Sequence, residues 1–277
     1  MRIYDRRKDE FYDIKDSLSL RFLYHTVIGR IILKPLTSKL FANMVALYQN
    51  SRLSKLKIKS FIKKNNINMD DYINTTYSSF NDFFTRRIKN SKRPLDEGII
   101  SPCDAKLTVY KIDGNEKLII KDSIYTVSEL IGESDIDYRD GYALVYRLCV
   151  DDYHRYIYPF DGKVLSSKVI PGKLHTVQPI ALKQYKVFHE NAREVTFVES
   201  KQFGKVSIIE VGALIVGKIV NNKCDTFKKG DEKGHFEFGG STIVYLFQKD
   251  KINLNEIFIN NTKDDIETVV KMGENLE

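Results

Sequence analysis

Phe236-Glu237-Phe238-Gly239-Gly240-Ser241-Thr242-Ile243-Val244-Tyr245-Leu246-Phe247 is a turn signal followed by an unbroken apolar run. Gly-Gly reverses chains, and Thr-Ile-Val-Tyr-Leu-Phe has the β-branched and aromatic composition of a buried strand. Working outward, strand patterns recur at 106–112, 117–121, 143–150, 163–170, 194–199, 205–211 and 214–220. Asp113-Gly114, Asp161-Gly162 and Pro171-Gly172 supply turns between them. Upstream the period changes. Leu20, Leu23, Val27 and Ile31 fall on one helical line, with Tyr24, Ile28 and Ile32 beside them, and Phe41, Val45 and Tyr48 continue in a second stretch. Residues 17–64 therefore read as helical, with breaks at Pro35 and Asn65-Asn66, and Ser78 or Ser79 caps a short helix over 81–87. The plan is α+β: helices first, then a largely antiparallel β-rich domain.

The 277 residues allow one large domain or two small ones. Cys103, Cys149 and Cys224 are odd in number and widely spaced, which disfavours a disulfide framework or a zinc site and suits a reducing compartment. No metal is expected. The charged N-terminus has no apolar core of a signal peptide behind it, and no stretch approaches the roughly 20 apolar residues of a spanning helix. The net charge of +7 is uneven: residues 17–64 carry ten Lys or Arg and no Asp or Glu, whereas residues 65–277 carry 29 basic and 32 acidic side chains. Such a segment could be a solvated helical subdomain, a nucleic-acid face, or an amphipathic surface resting on anionic lipid. No nucleic-acid reader motif accompanies it. The expected division is a helical, basic, membrane-surface segment over 1–78, a β-rich domain over 79–260 and a loosely held polar tail over 261–277.

Five stretches stand in order: Phe83-Phe84-Thr85-Arg86-Arg87-Ile88-Lys89 with Arg93-Pro94-Leu95; Ser101-Pro102-Cys103-Asp104-Ala105; Asp152-Tyr153-His154-Arg155 with Pro159 and Gly162; Val211-Gly212-Ala213 with Val216-Gly217; and Gly239-Gly240-Ser241-Thr242. Each is weak alone. Together, from about residue 79 to 249, they resemble the phosphatidylserine decarboxylases, which are self-processing pyruvoyl enzymes. A serine hydroxyl is a poor nucleophile at neutral pH and needs a base, which needs an orienting group. The resemblance implies Asp104 as orienting acid, His154 as base and Ser241 as nucleophile, and Gly240 without a side chain lets the hydroxyl approach its carbonyl.

It further implies a zymogen cut between Gly240 and Ser241 into a β chain, 1–240, and an α chain, 241–277, with the pyruvoyl group made from Ser241. That ketone would hold the substrate amine as a Schiff base and act as electron sink, with His154 a candidate proton donor. The implied lyase turns phosphatidylserine into phosphatidylethanolamine in phospholipid biosynthesis. It would be an α/β heterodimer, with a dimer of heterodimers open to it; a peripheral place on the cytoplasmic face of an anionic cell membrane is expected from the charge and amphipathicity of residues 17–64 alone. His175 falls in a segment that the resemblance places near the substrate. Three departures stand out: Gly239 where the family usually has Leu, Ala105 where Gly is common, and Ile157 where many relatives carry a second histidine. Two other readings stay open at this point: a serine hydrolase using Asp104, His154 and Ser241, which lacks the G-x-S-x-G elbow, and a non-enzymatic basic lipid-binding module in which 239–242 is only a turn.

Overall fold

The computed structural model describes residues 1–277 except Lys15, Asp16, Asp122, Glu133, Lys183, Ile215, Val216, Gly217 and Gly240. A hairpin of β1 (Arg2–Asp5) and β2 (Glu10–Asp13) comes first. Then follow α1 (Leu18–His25), α2 (Val27–Leu36), α3 (Lys39–Gln49), a 3₁₀ segment Arg52–Lys57, α4 (Ile58–Lys64) and α5 (Phe80–Phe84). The side chains of Thr26, Ser38 and Ser79 accept the N–H groups of Gly29, Phe41 and Asp82, so each satisfies an otherwise orphaned donor and starts a helix. Pro35 lies inside the last turn of α2, and the break comes at Thr37-Ser38 instead.

The β region runs β3 (Ala105–Lys111), β4 (Lys117–Ile120), β5 (Ser123–Thr126), α6 (Val127–Ile131), β6 (Tyr142–Leu148), β7 (Arg155–Ile157) and β8 (Gly162–Ile170). It continues with α7 (Pro179–Leu182), α8 (Val187–Glu190), β9 (Arg193–Ser200), β10 (Gly204–Val211), β11 (Ile219–Asn221) and β12 (Thr226–Phe227). The last elements are β13 (Glu232–Phe236), β14 (Ser241–Phe247), α9 (Glu256–Lys263) and β15 (Ile266–Val270). The fold is α+β as expected. The strand expected over 214–220 falls partly outside the described residues.

Ten strands form one sheet in the order β12-β8-β9-β10-β14-β6-β3-β15-β1-β2, antiparallel throughout except for β1 beside β15. The apolar run that follows the two glycines is β14, in the middle of this sheet, and all seven of its residues are buried. A smaller sheet orders β11-β13-β7.

Two expectations are corrected. The first 78 residues are not all helical, because β1 and β2 extend the main sheet. Nor is 261–277 a loose tail: β15 is inserted between β1 and β3, and Val270 and Leu276 are fully buried. The strand was hidden by Glu267, whose carboxylate is buried against Arg147 of β6 at 2.5 Å; the ion pair makes a charged residue compatible with a strand interior.

Antiparallel pairing gathers alternate strand ends at one edge. Leu148 pairs with Ser241, Val211 with Thr242 and with Arg193, and Val270 with Ala105. The ends of β6, β10 and β15 and the starts of β3, β9 and β14 therefore meet there.

Candidate active site

His154 lies in the loop between β6 and β7 and is fully buried. Its Nδ1 is 2.9 Å from the backbone oxygen of Asp152. A carbonyl oxygen can only accept, so Nδ1 carries the proton and Nε2 keeps its lone pair. Nε2 is buried and has no hydrogen-bond partner among the described residues. Burial pushes the imidazole down to about 4, and the Asp152 carbonyl opposes that only in part, so the ring is neutral at physiological pH. Phe84 of α5 packs on it with ring centroids 4.2 Å apart.

Ser241 opens β14 and is fully buried, and among the described residues neither its Oγ nor Oγ1 of Thr242 beside it has a hydrogen-bond partner. Buried hydroxyls are usually satisfied, so adjacent orphans call for a chemical explanation. The chain before Gly239 is anchored at two points. Phe236 donates its N–H to the His154 carbonyl at 3.0 Å, and Phe238 donates to Asn81 Oδ1 at 3.1 Å. The Phe84 ring that covers His154 also packs on Phe238, at 5.2 Å. Gly239 has φ of 142°, a conformation that side-chain-bearing residues rarely adopt and glycine tolerates. Gly240, the other half of the expected scissile bond, lies outside the described residues.

Asp104, at the start of β3, is buried among cations. Arg93 binds it with two hydrogen bonds, Nε to Oδ1 at 2.8 Å and Nη2 to Oδ2 at 2.5 Å. Lys271 Nζ adds a contact at 3.0 Å and the Met272 N–H another at 3.0 Å. Burial alone would raise this carboxyl, but Lys271 and Arg93 hold it well below the usual carboxylate range. No hydrogen bond joins Asp104 to His154; the group that orients the imidazole is the Asp152 backbone. Ile157 is packed in an apolar cluster with Ile100, Tyr153 and Met272, and its N–H donates to the Pro102 carbonyl.

His175 is held elsewhere at the same sheet end. Its ring stacks on Tyr185 at 4.4 Å, and its backbone is bonded to Asn191, whose amide also reaches the Gly212 carbonyl. Among the described residues no hydrogen bond or ring contact links His175 to His154 or Ser241. Cys103 is buried and its thiol is pushed well up by burial, so it is no thiolate. A cleft of about 1400 Å³, lined by Gly162, Ser200 and Gln202, lies at the opposite end of the sheet and is not this site.

The sequence reading missed Asn81, Asp152 as the imidazole's support, Lys106 and Lys271. Asn81 and Asp152 sit in or beside quoted motifs and could have been found. Lys271 carries no local signal.

A neutral imidazole with a free Nε2 and an unpartnered seryl hydroxyl after a glycine pair define a protein equipped for serine chemistry. A sequence model of the phosphatidylserine decarboxylases matches residues 80–276. The chain is 47% identical to phosphatidylserine decarboxylase proenzyme 2 of Clostridium acetobutylicum, over 99% of this chain and 97% of that one. It is 39% identical to the phosphatidylserine decarboxylase proenzyme of Clostridium kluyveri, over 99% and 97%. With that of Fusobacterium nucleatum it shares 35%, over 92% and 89%. The chain belongs to the phosphatidylserine decarboxylase family.

Proposed function

We propose that this chain is the proenzyme of a phosphatidylserine decarboxylase and that it cuts its own Gly240–Ser241 bond. The observation that carries the reading is the pair of buried orphan atoms, His154 Nε2 and Ser241 Oγ, at one end of the sheet. Nε2 takes the hydroxyl proton as Oγ attacks the carbonyl carbon of residue 240. The amide becomes an ester as the nitrogen of residue 241 is released and protonated. Loss of the α-proton expels the carboxylate of 1–240 and leaves a dehydroalanine at 241, and water then replaces its nitrogen as ammonia, giving the pyruvoyl group. The Thr242 hydroxyl is available to donate to the oxyanion of the attack.

A pyruvoyl group supplies an electrophilic carbonyl that takes up the electrons of a departing carboxylate. This chain's residues then orient the substrate and move protons. The Phe84 and Phe238 rings exclude water, and His154 Nε2 is placed to hold a proton for the product carbon. His175 is proposed to face the substrate headgroup from the loop under α1, where Tyr24 donates to or accepts from its Nδ1 at 3.4 Å.

The lipid would arrive from the helical side. Leu18, Val27, Ile31, Leu40, Leu47 and Leu56 are all more than 60% exposed in a segment rich in Lys and Arg, an apolar surface suited to the cytoplasmic leaflet of an anionic membrane. These helices are tied to the site end: Tyr24 accepts the Thr176 N–H, and the Thr37 carbonyl accepts that of Leu174. Among the described residues no helix is long and apolar enough to cross a membrane.

Intact mass tests the reading. Purified protein should give two chains, 1–240 and 241–277, the short one lacking a free amino terminus and carrying a borohydride-reducible carbonyl. Ser241→Ala and His154→Ala should remain single chains. An uncut 32.1 kDa chain in an active preparation refutes the mechanism.

A further inference from the structure

The imidazole of His154 is fixed by Asp152, and Asp152 is itself fixed by two cations. Its Oδ2 accepts from Lys106 Nζ at 2.6 Å and from the Cys149 N–H at 2.8 Å. Its Oδ1 faces Lys271 Nζ at 3.9 Å. The same Lys271 nitrogen donates to Asp104 at 3.0 Å. Asp104 and Asp152 are both almost wholly buried and lie close enough for each to disfavour the other's charge. Two buried carboxylates tolerate each other only with cations beside or between them. Arg93 serves Asp104 alone and Lys106 serves Asp152 alone, whereas Lys271 touches both.

Asp104 therefore has a path to the imidazole that is not a direct hydrogen bond: Asp104 to Lys271, Lys271 to Asp152, and Asp152 to His154. Lys271 is brought there by β15, whose last residue, Val270, pairs with Ala105 next to Asp104. The following N–H, of Met272, caps the same carboxylate. In the sequence Lys271 and Met272 follow the scissile bond, whereas Arg93, Asp104, Lys106, Asp152 and His154 precede it. In the cut protein the bridge would cross from the short chain to the long one.

We propose that Lys271 is a positioning residue for self-cleavage, bridging Asp104 and Asp152 so that the Asp152 carbonyl holds His154 Nε2 toward Ser241. The proposal rests on the reading of His154 as the base for that cleavage.

The test follows the appearance of the 241–277 chain by mass after synthesis of full-length protein, with thermal unfolding of each variant measured on the Ser241→Ala background. Lys271→Met should slow cleavage by about ten- to a hundredfold, the loss expected from misplacing a reacting group by about an ångström. Lys271→Arg, which can still bridge two carboxylates, should recover most of the rate. Cleavage of a folded Lys271→Met protein at the wild-type rate overturns the proposal. If Lys271→Met does not fold, Lys271→Arg against Lys271→Gln decides: faster cleavage with arginine supports the bridge, and equal rates overturn it. A wild-type chain that never cuts is a different result, because it removes the Ser241 reading itself.

Discussion

His154 donates from Nδ1 to a backbone carbonyl, and this fixes how the site responds to pH. Because burial holds the imidazole near 4, the free base is present throughout the neutral range. Self-cleavage should be flat from about pH 6 to 8 and half-maximal near pH 4, measured as the initial rate of short-chain release; a midpoint near 6.5 would mean an ordinary, solvated imidazole. The charged groups acting on this ring are Asp152, Arg86 and Lys106. Stability carries the same signature. The unfolded histidine binds a proton near 6.5 and the folded one only near 4, so between these values the unfolded state holds more protons. Stability is then complete above about pH 6.5 and falls toward pH 4, by roughly 3 kcal/mol for this residue. His235, also lowered to about 4 by burial, acts in the same direction. Denaturant midpoints of Ser241→Ala with and without His154→Gln, taken from pH 4 to 7, isolate the His154 share. At this scale Ser241, His154 and Asp104 could be singled out because their motifs stand in a recognisable order, but Asp104 makes no hydrogen bond to the imidazole it was expected to orient. The Asp152 carbonyl was not legible, since a backbone oxygen has no residue identity, and Lys271 became meaningful only when β15 carried it to Asp104.

The helices divide their apolar residues between two tasks. Tyr24 and Leu33 face the core, and Phe61 joins the Phe80, Phe83 and Phe84 cluster that roofs the site. The exposed residues form the proposed lipid surface. Replacing Leu47 and Leu56 with Glu should weaken binding to anionic vesicles at least tenfold in sedimentation while leaving self-cleavage intact, and raised salt should release the wild type by screening its cations. Unchanged vesicle binding would send the membrane contact elsewhere. The packing of α1 on α2 is close at Gly29, where an added Cβ would lie 2.0 Å from the Phe22 carbonyl oxygen. Gly29→Ala should cost about 1–3 kcal/mol in thermal unfolding. Strand runs such as β9, β10 and β14 were readable from their β-branched and aromatic composition. The hairpin of β1 and β2 was not: four-residue strands that carry Asp5, Glu10 and Asp13 offer too short a period to separate from charged loop.

Across the whole molecule, the expected short chain supplies two strands that are not neighbours. β14 lies between β10 and β6, and β15 between β3 and β1. Each is hydrogen-bonded on both sides to the longer chain, so the two products should co-elute in native buffer and separate only in denaturant. Separation in mild buffer would contradict this sheet order. The arrangement also sets a clock on synthesis. The ribosome makes Asp104, His154 and Ser241 well before Lys271, yet the network around the imidazole is complete only when β15 docks beside the first strand of the chain. Nascent chains stalled short of residue 266 should stay uncut, so that the protein commits to its irreversible step only after its last strand has joined its first.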